Sequence, residues 1–266
     1  EGEGRVYPRP RQAAAVLDVL RWELERLKVD VRGGYEVREI GSSEKGFTLR
    51  LGAGGEIAAR RLVLACGGMA GPQFGSDGLG LRLAVALGHR LVEPAAALVP
   101  LRLRADFLRR LKGVGFQARG EVRRGSEALR SEAGEFLFTD SGITGLPVLP
   151  LSRPASRELR QGGSPRLLLD LFPETSLEEL DSALAVRFRR QGHKTLVDGL
   201  VGLLNKRLIP VALAEAGIGY PTAPCAEIQP AARQALARLL KSWSLELSGT
   251  MPWPEAQGTA GGVDLR

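Results

Sequence analysis

Cysteine, methionine and histidine are scarce, with two of each among 266 residues. Cys66 and Cys225 stand far apart in the sequence, so they form neither a disulfide framework nor a CxxC metal pair, and reduced thiols are the default. His89 follows Gly88 at an expected helix end, where its charge would complement the dipole. His193 falls in a polar connection between helices, and neither histidine has a second one near it to share a metal. Aromatic residues make up 5% of the chain, few for the stacking platforms of single-strand nucleic-acid binders. No apolar run approaches the ~20 residues that span a bilayer. Glu1-Gly2-Glu3-Gly4 has neither the basic nor the hydrophobic region of a targeting peptide. These features predict a soluble, cytoplasmic protein without a membrane association.

What is present is ordinary globular material. Hydrophobic residues account for 44% and charged residues for 25%, enough apolar surface for one large or two modest cores. Thirty-seven bases against thirty acids leave a net charge of +7, which draws anionic partners toward the surface. The densest basic stretch, Arg102 to Arg130, is broken by Asp106, Glu121 and Glu127 and alternates with strand-like apolar residues. It reads as a solvated face rather than a nucleic-acid groove.

Leu17, Leu20, Leu24 and Leu27 recur at helical spacing behind Pro8 and Pro10, which predicts an amphipathic helix over 11–28. A strand at 29–31 and a meander at 35–40, 47–51 and 56–59 follow, divided by glycine-rich turns. Leu62-Val63-Leu64-Ala65 has the continuous apolar character of a strand buried on both faces and ends at Cys66-Gly67-Gly68. A second glycine-rich loop, Gly71 to Gly80, leads into a helix closed by Gly88. Beyond Pro94, strands are expected at 97–104, 114–124, 135–139 and 166–171, with a short helical stretch near 106–112. From Ser176 the pattern turns helical, opened by capping-box pairs Ser176/Glu179 and Thr195/Asp198. Trp243 to Gly249 reads as a last strand before Gly258 to Val263.

No complete catalytic motif is present. Gly78-Leu79-Gly80 has Leu83 where a dinucleotide fingerprint needs its third glycine, and Gly113-Val114-Gly115 precedes a strand rather than a helix. Walker A, HExxH and GxSxG are absent. Three glycine clusters remain, at 67–68, 75–80 and 261–262. Glycines at the carboxyl end of a strand admit a ligand to the main chain, so the Ala65-Cys66-Gly67-Gly68 corner is read as a cofactor-binding turn, with plain turn chemistry as the alternative on these residues alone.

In this order, the segments Gly4-Arg5-Val6-Tyr7-Pro8, Leu62 to Gly68, Gly75-Ser76-Asp77-Gly78 through Leu87-Gly88-His89, Ala97 to Leu101, Phe136 to Gly145 and Ala260-Gly261-Gly262-Val263 resemble the flavoproteins of the YhiN/BaiN type, aminoacetone-oxidase-like NAD(P)/FAD-dependent oxidoreductases. The resemblance covers nearly the whole chain. It implies an α/β fold: part of a glutathione-reductase-like, Rossmann-like FAD-binding domain with an inserted β-barrel and helical domain. The implied domains are a partial FAD-binding domain at 1–93, an insertion at 94–245 (barrel about 95–172, helices about 173–242) and a return to the first domain at 246–266. FAD contacts carried over are Val37, Ala65, Cys66, Gly67, Gly68, Gly75, Ser76, Asp77, Gly78, Gly261 and Gly262. In many members the glycine loop reads Gly-Ser-Thr-Gly-Asp-Gly; here Asp77 replaces the Thr and Leu79 the Asp.

The resemblance further implies an enzyme in which the flavin isoalloxazine acts on a small-molecule substrate, with NAD(P)H as a possible electron donor. Tyr7 is the candidate for a group near the flavin face, and no metal is implied. Family members carry a dinucleotide fingerprint before the Gly-Arg-Val-Tyr/Phe-Pro segment and a second flavin segment after Ala-Gly-Gly-Val. These 266 residues alone are therefore expected to bind FAD poorly and to be inactive. The alternative reading is a module without redox chemistry that holds an anion or nucleic acid on the basic β portion.

Overall fold

The structure, a computed structural model, describes residues 6–266, so Gly4 and Arg5 of the first family-like segment lie outside the described residues. The chain forms two compact units, residues 1–62 and 63–266.

The first unit contains helix α1 (Ala13–Arg26) and a three-stranded antiparallel meander, β1 (Val37–Ser43), β2 (Gly46–Leu51) and β3 (Glu56–Ala59). Helix and meander follow the sequence reading closely. The expected strand at 29–31 does not form. Val29 and Val31 are 48% and 69% exposed and no neighbouring strand pairs with them, and β-propensity alone does not make a strand without a partner.

Leu62, which ends the first unit, and Val63 to Cys66, which begin the second, lie outside any sheet, which corrects the strand expected there. Val63 is 85% exposed; a strand of this apolar type needs pairing on its edges and cover on both faces. A 3-10 turn at Pro72–Phe74 and helix α2 (Leu79–Ala86) follow. The strand expected at 97–104 forms only as β5 (Leu101–Arg104), and Ala97 instead ends an earlier strand, β4 (Leu91–Ala97). Leu98 between them takes a left-handed φ of 50°, and Pro100 lacks the N–H that a continuous ladder uses.

A closed six-stranded barrel is the centre of this unit, in the order β10-β5-β8-β7-β6-β9. Its strands are β5, β6 (Gly115–Arg124), β7 (Glu127–Phe138), β8 (Gly142–Thr144), β9 (Arg166–Asp170) and β10 (Trp243–Thr250), and α3 (Leu108–Leu111) connects β5 to β6. Alternation sends Leu101, Leu103, Leu167, Leu169, Leu245 and Leu247 inward and their polar neighbours outward. Phe107, Phe138 and Trp243 form an aromatic cluster in that core. Each such side chain contributes about 1.5–3 kcal/mol through burial. The result is the mixed α/β chain with a β-barrel that the sequence implied.

Helix α4 (Val148–Arg160) packs on the barrel through Val148, Leu151, Ser152 and Ala155, although Pro154 lies inside it. The hydroxyl of Ser152 donates to Leu149 O at 2.7 Å and accepts from the Val99 N–H at 3.3 Å. The helical half comprises α5 (Leu177–Arg190), α6 (Leu196–Gly199), α7 (Leu208–Glu215) and α8 (Pro230–Lys241). Ser176 and Glu179 form the reciprocal capping box at the start of α5, and the Thr195 hydroxyl accepts from the Asp198 N–H at the start of α6.

Strand β11 (Gly258–Val263) pairs antiparallel with β4, with Gly258 opposite Ala97. The chain therefore enters and leaves residues 98–257 on adjacent strands.

Candidate functional site

Two of the three glycine clusters, 67–68 and 75–80, meet around Gly68, and Thr259 on the strand that carries the third reaches the same corner. The Gly78 N–H donates to Gly68 O at 3.0 Å, joining the 75–80 loop to the 67–68 corner. A Cβ at Gly67 would lie 2.7 Å from Ser76 Oγ, and one at Gly80 would lie 2.8 Å from Cys66 Cβ. A Cβ at Gly68 would run into Thr259 Oγ1 on β11. Thr259 Oγ1 in turn accepts from the N–H groups of Met69 at 2.8 Å and Ala70 at 3.1 Å. Small residues are needed here because the Ser76, Thr259 and Cys66 side chains occupy the space a Cβ would take, and Gly67 and Gly78 also take left-handed φ values of 74° and 82°.

The outer edge of the corner remains open. Ala65, Cys66 and Gly67 are exposed and Gly68 is half-buried. Among the described residues, no protein acceptor takes the N–H groups of 65 to 68. A main chain with free donors at an exposed glycine turn is the local structure that accepts phosphate or other anionic oxygens.

The remaining expected site residues are placed as follows. Asp77 Oδ1 accepts from the Leu79 N–H at 2.9 Å, and Arg82 reaches the other carboxylate oxygen at 3.1 Å. Hydrogen bonding by Leu79 and then by Arg82 holds the Asp77 carboxyl below its ordinary range. The side chain thus secures the start of α2, while Gly75 and Ser76 stay at the accessible side of the loop. Gly261 sits at a bulge opposite β4, where a Cβ would run into the carbonyls of Val92 and Glu93. Gly262 beside it is buried with a φ of 115°. Both glycines are explained by strand packing. Val37 and Tyr7 belong to the first unit; Val37 opens β1 opposite Leu51, and Tyr7 is 57% exposed ahead of α1.

Thr259 is the residue that sequence reasoning missed. Its signal was present, as a hydroxyl one residue before the Ala260-Gly261-Gly262 run, but only the fold brings it to Met69. Among the described residues no group of three or more His, Cys, Asp or Glu is arranged to hold a metal, and no helix is long and apolar enough to cross a membrane.

A polar cleft of about 470 Å³ lies on the barrel, lined by Arg104, Asp106, Arg110, Arg166, Glu215 and Glu246 among others. Its charges are balanced: Arg104 pairs with Glu246 at 2.9 Å, and Arg166 donates to Ser244 Oγ at 2.6 Å. Nothing in the sequence reading anticipated it.

Comparison with known proteins bears on the same residues. Residues 95–257 match the family described as HI0933-like protein barrel and H2TH domain. Among curated relatives, a 3-dehydro-bile acid delta(4,6)-reductase of Clostridium scindens is 35% identical over 260 residues, 98% of this chain and 63% of the relative. A ribosomal RNA dihydrouridine synthase of Escherichia coli is 30% identical over 257 residues, 95% of this chain and 60% of that protein. The Haemophilus influenzae protein of the same name is 27% identical over 263 residues, 96% of the chain and 61% of the relative. The chain thus spans about three fifths of the length of the curated relatives it matches.

Proposed function

The chain belongs to the HI0933-like family, carrying its barrel and H2TH domain, and on that premise we propose that it is the central part of a longer flavin-dependent oxidoreductase. One observation carries the reading: the 67–68 and 75–80 glycine clusters meet at Gly68 and leave residues 65–67 exposed, and among the described residues no protein acceptor takes the N–H groups of 65 to 68. The residues fit a dinucleotide cofactor at this corner. Ala65, Cys66, Gly67 and Gly68 would lie along it, and Gly75, Ser76, Asp77 and Gly78 would border it. Asp77 would act by fixing the loop through Leu79 and Arg82. Gly261 and Gly262 would shape β11, so that Thr259 holds the turn after the corner.

The domain plan that accompanies this reading has residues 1–93 and 246–266 in the flavin domain and 94–245 as the insertion. The pairing of Ala97 with Gly258 supports an insertion that begins and ends on neighbouring strands and so leaves the parent sheet continuous, with its ends nearer 98 and 257, since residues 246–250 lie in barrel strand β10. FAD, when bound, supplies hydride transfer. The protein supplies position, exclusion of water and an insertion that covers the reacting face.

The relatives' names point to a reaction class. A delta(4,6)-reductase of a 3-oxo steroid and a dihydrouridine synthase both deliver two hydrogens to a carbon–carbon double bond conjugated to a carbonyl. For this protein the substrate would accordingly be a conjugated carbonyl compound, and the bound flavin would supply the hydride equivalent for its β carbon, with a proton added at the α carbon and NAD(P)H as the donor of reducing equivalents. The test is the visible spectrum of the whole protein after gel filtration, with addition of NADH or NADPH and then of a cyclic enone. Retained flavin that bleaches with the nucleotide and recolours with the enone is the expected result. A whole protein that retains no flavin would overturn the reading.

A further inference from the structure

The 3-10 turn at Pro72–Phe74 is held more firmly than a surface turn requires. Left-handed glycines close it at both ends, Gly71 with a φ of 63° and Gly75 with a φ of 94°. Within it, the Phe74 N–H donates to Gly71 O at 2.9 Å and the Gly75 N–H to Pro72 O at 3.0 Å. The segment that returns from the barrel grips the same turn twice. The Gly71 N–H donates to Trp253 O at 3.0 Å, and Gln73 Nε2 donates to Pro254 O at 3.0 Å.

This scaffold presents one ring. Phe74 is 88% exposed, the most exposed aromatic side chain among the described residues, and it packs into neither apolar core. A single exposed apolar side chain is ordinary on a protein surface; a ring whose position is fixed by its own turn is less so. A Cβ at Gly71 would lie 3.1 Å from Phe74 Cδ2. The ring therefore leans over Gly71, and the missing side chain there leaves room for it. A ring already held in place need not be ordered by a ligand that stacks on it.

Ser76 sets the place of Phe74 relative to the corner. Apart from its chain neighbours, a Cβ at Gly67 would meet Ser76 alone, at 2.7 Å from Oγ. Phe74 stands two residues before Ser76, a span of at most ~7 Å. A cofactor laid along 65–68 would border Ser76 first and leave the Phe74 ring to the layer beyond, where a substrate must lie to meet the flavin.

We propose that Phe74 is a specificity-determining contact of this site: its face forms one wall of the substrate pocket and stacks the ring of a flat conjugated carbonyl compound. The assignment rests on the flavin reading above and adds to it a choice among substrates. Flat rings gain the stacking contact with Phe74, and open-chain carbonyl compounds do not.

The experiment uses the whole protein with its flavin oxidised and no reductant present. The flavin absorption band is followed during titration with acetophenone, a flat conjugated ketone, and with mesityl oxide, an open-chain one. The parent should bind acetophenone more tightly than mesityl oxide. Phe74→Ala should weaken acetophenone about tenfold and mesityl oxide by less than about twofold, with flavin content and melting temperature unchanged, and Phe74→Tyr should restore the parent affinity. Equal affinity of the parent for the two probes would overturn the assignment. So would equal acetophenone affinity in the parent and Phe74→Ala, or equal losses for both probes. Flavin lost on Phe74→Ala would make the ring a cofactor contact and overturn it as well. A parent that retains no flavin would sink the oxidoreductase reading itself and this assignment with it, so the spectrum of the parent tells the two failures apart.

Discussion

The hydroxyl oxygen of Thr259 accepts a hydrogen bond from the main-chain N–H of Met69 at 2.8 Å, across 190 positions of sequence. The same oxygen accepts from Ala70, so one side chain on β11 holds the turn that follows the Gly67–Gly68 corner. Replacing Thr259 by Val keeps the shape and removes the acceptor for two part-buried donors. Thr259→Val should cost about 1–3 kcal/mol in chemical denaturation and speed hydrogen exchange at Met69 and Ala70, while Thr259→Ser retains most of the stability. Unchanged exchange in Thr259→Val would show that the bonds do not hold the turn.

Gly120 on β6 faces the barrel core, where a Cβ would lie 2.5 Å from Phe136 Cζ and 3.4 Å from Leu151 Cδ1. Both neighbours are fully buried, so neither yields easily. Gly120→Ala should destabilise by about 1–3 kcal/mol. Combining it with Phe136→Leu should cost less than the sum of the two single changes, because the smaller side chain vacates the colliding position. Strict additivity in thermal or urea unfolding would contradict this packing.

Asp181 on α5 receives both arms of Arg233 on α8, at 2.7 and 2.9 Å. That hydrogen bonding holds the Asp181 carboxyl below its ordinary value. A carboxylate whose folded pKa is depressed contributes fully above its unfolded pKa of about 3.9 and loses the contribution as pH falls toward the folded value. Asp181→Asn should therefore cost about 1 kcal/mol near neutral pH. The difference from the parent should shrink below roughly pH 4. A gap that widens on acidification would reverse the sign of the coupling.

The two thiols should differ sharply. Cys66 is exposed, whereas Cys225 is 1% exposed and its Sγ lies 3.2 Å from Thr195 O. Burial pushes the Cys225 thiol up and so disfavours its reactive thiolate. Alkylation of the native chain should modify Cys66 alone, with Cys225 slower by roughly 100-fold or more until denaturant is added. Comparable native rates, read by mass spectrometry, would contradict the packing around α6.

Much of this fold is legible in the residues themselves. The Ser176/Glu179 box, the Thr195 cap, the 46–59 hairpin and the glycines that end α2 are local signals, and each forms where its chemistry requires. The failures have non-local causes. Leu62 to Ala65 has strand composition but no strand beside it. Helix α4 is masked by Pro150 and Pro154 and forms because the barrel receives Val148, Leu151 and Ala155. Strand β7 extends back to Glu127 although its outer half is polar, since it is solvated on one face and paired along its length with β6. The candidate site divides in the same way. Its glycine clusters could be picked out one by one, but the meeting of 67–68 with 75–80 depends on the fold, and the part of Thr259 depends on the pairing of β11 with β4. Charge was the least legible property, because the partners of Arg104 to Arg130 are set by folding.

The central claim is that main chain at 65–68 lies against a flavin nucleotide, and Cys66 is a built-in reporter of that contact. The decisive measurement is the alkylation rate of Cys66 in the whole protein, with and without bound FAD, using Cys225 as the internal blank. Bound FAD should slow Cys66 by about tenfold or more and leave Cys225 unchanged. Equal Cys66 rates in flavin-loaded and flavin-free protein would contradict the account.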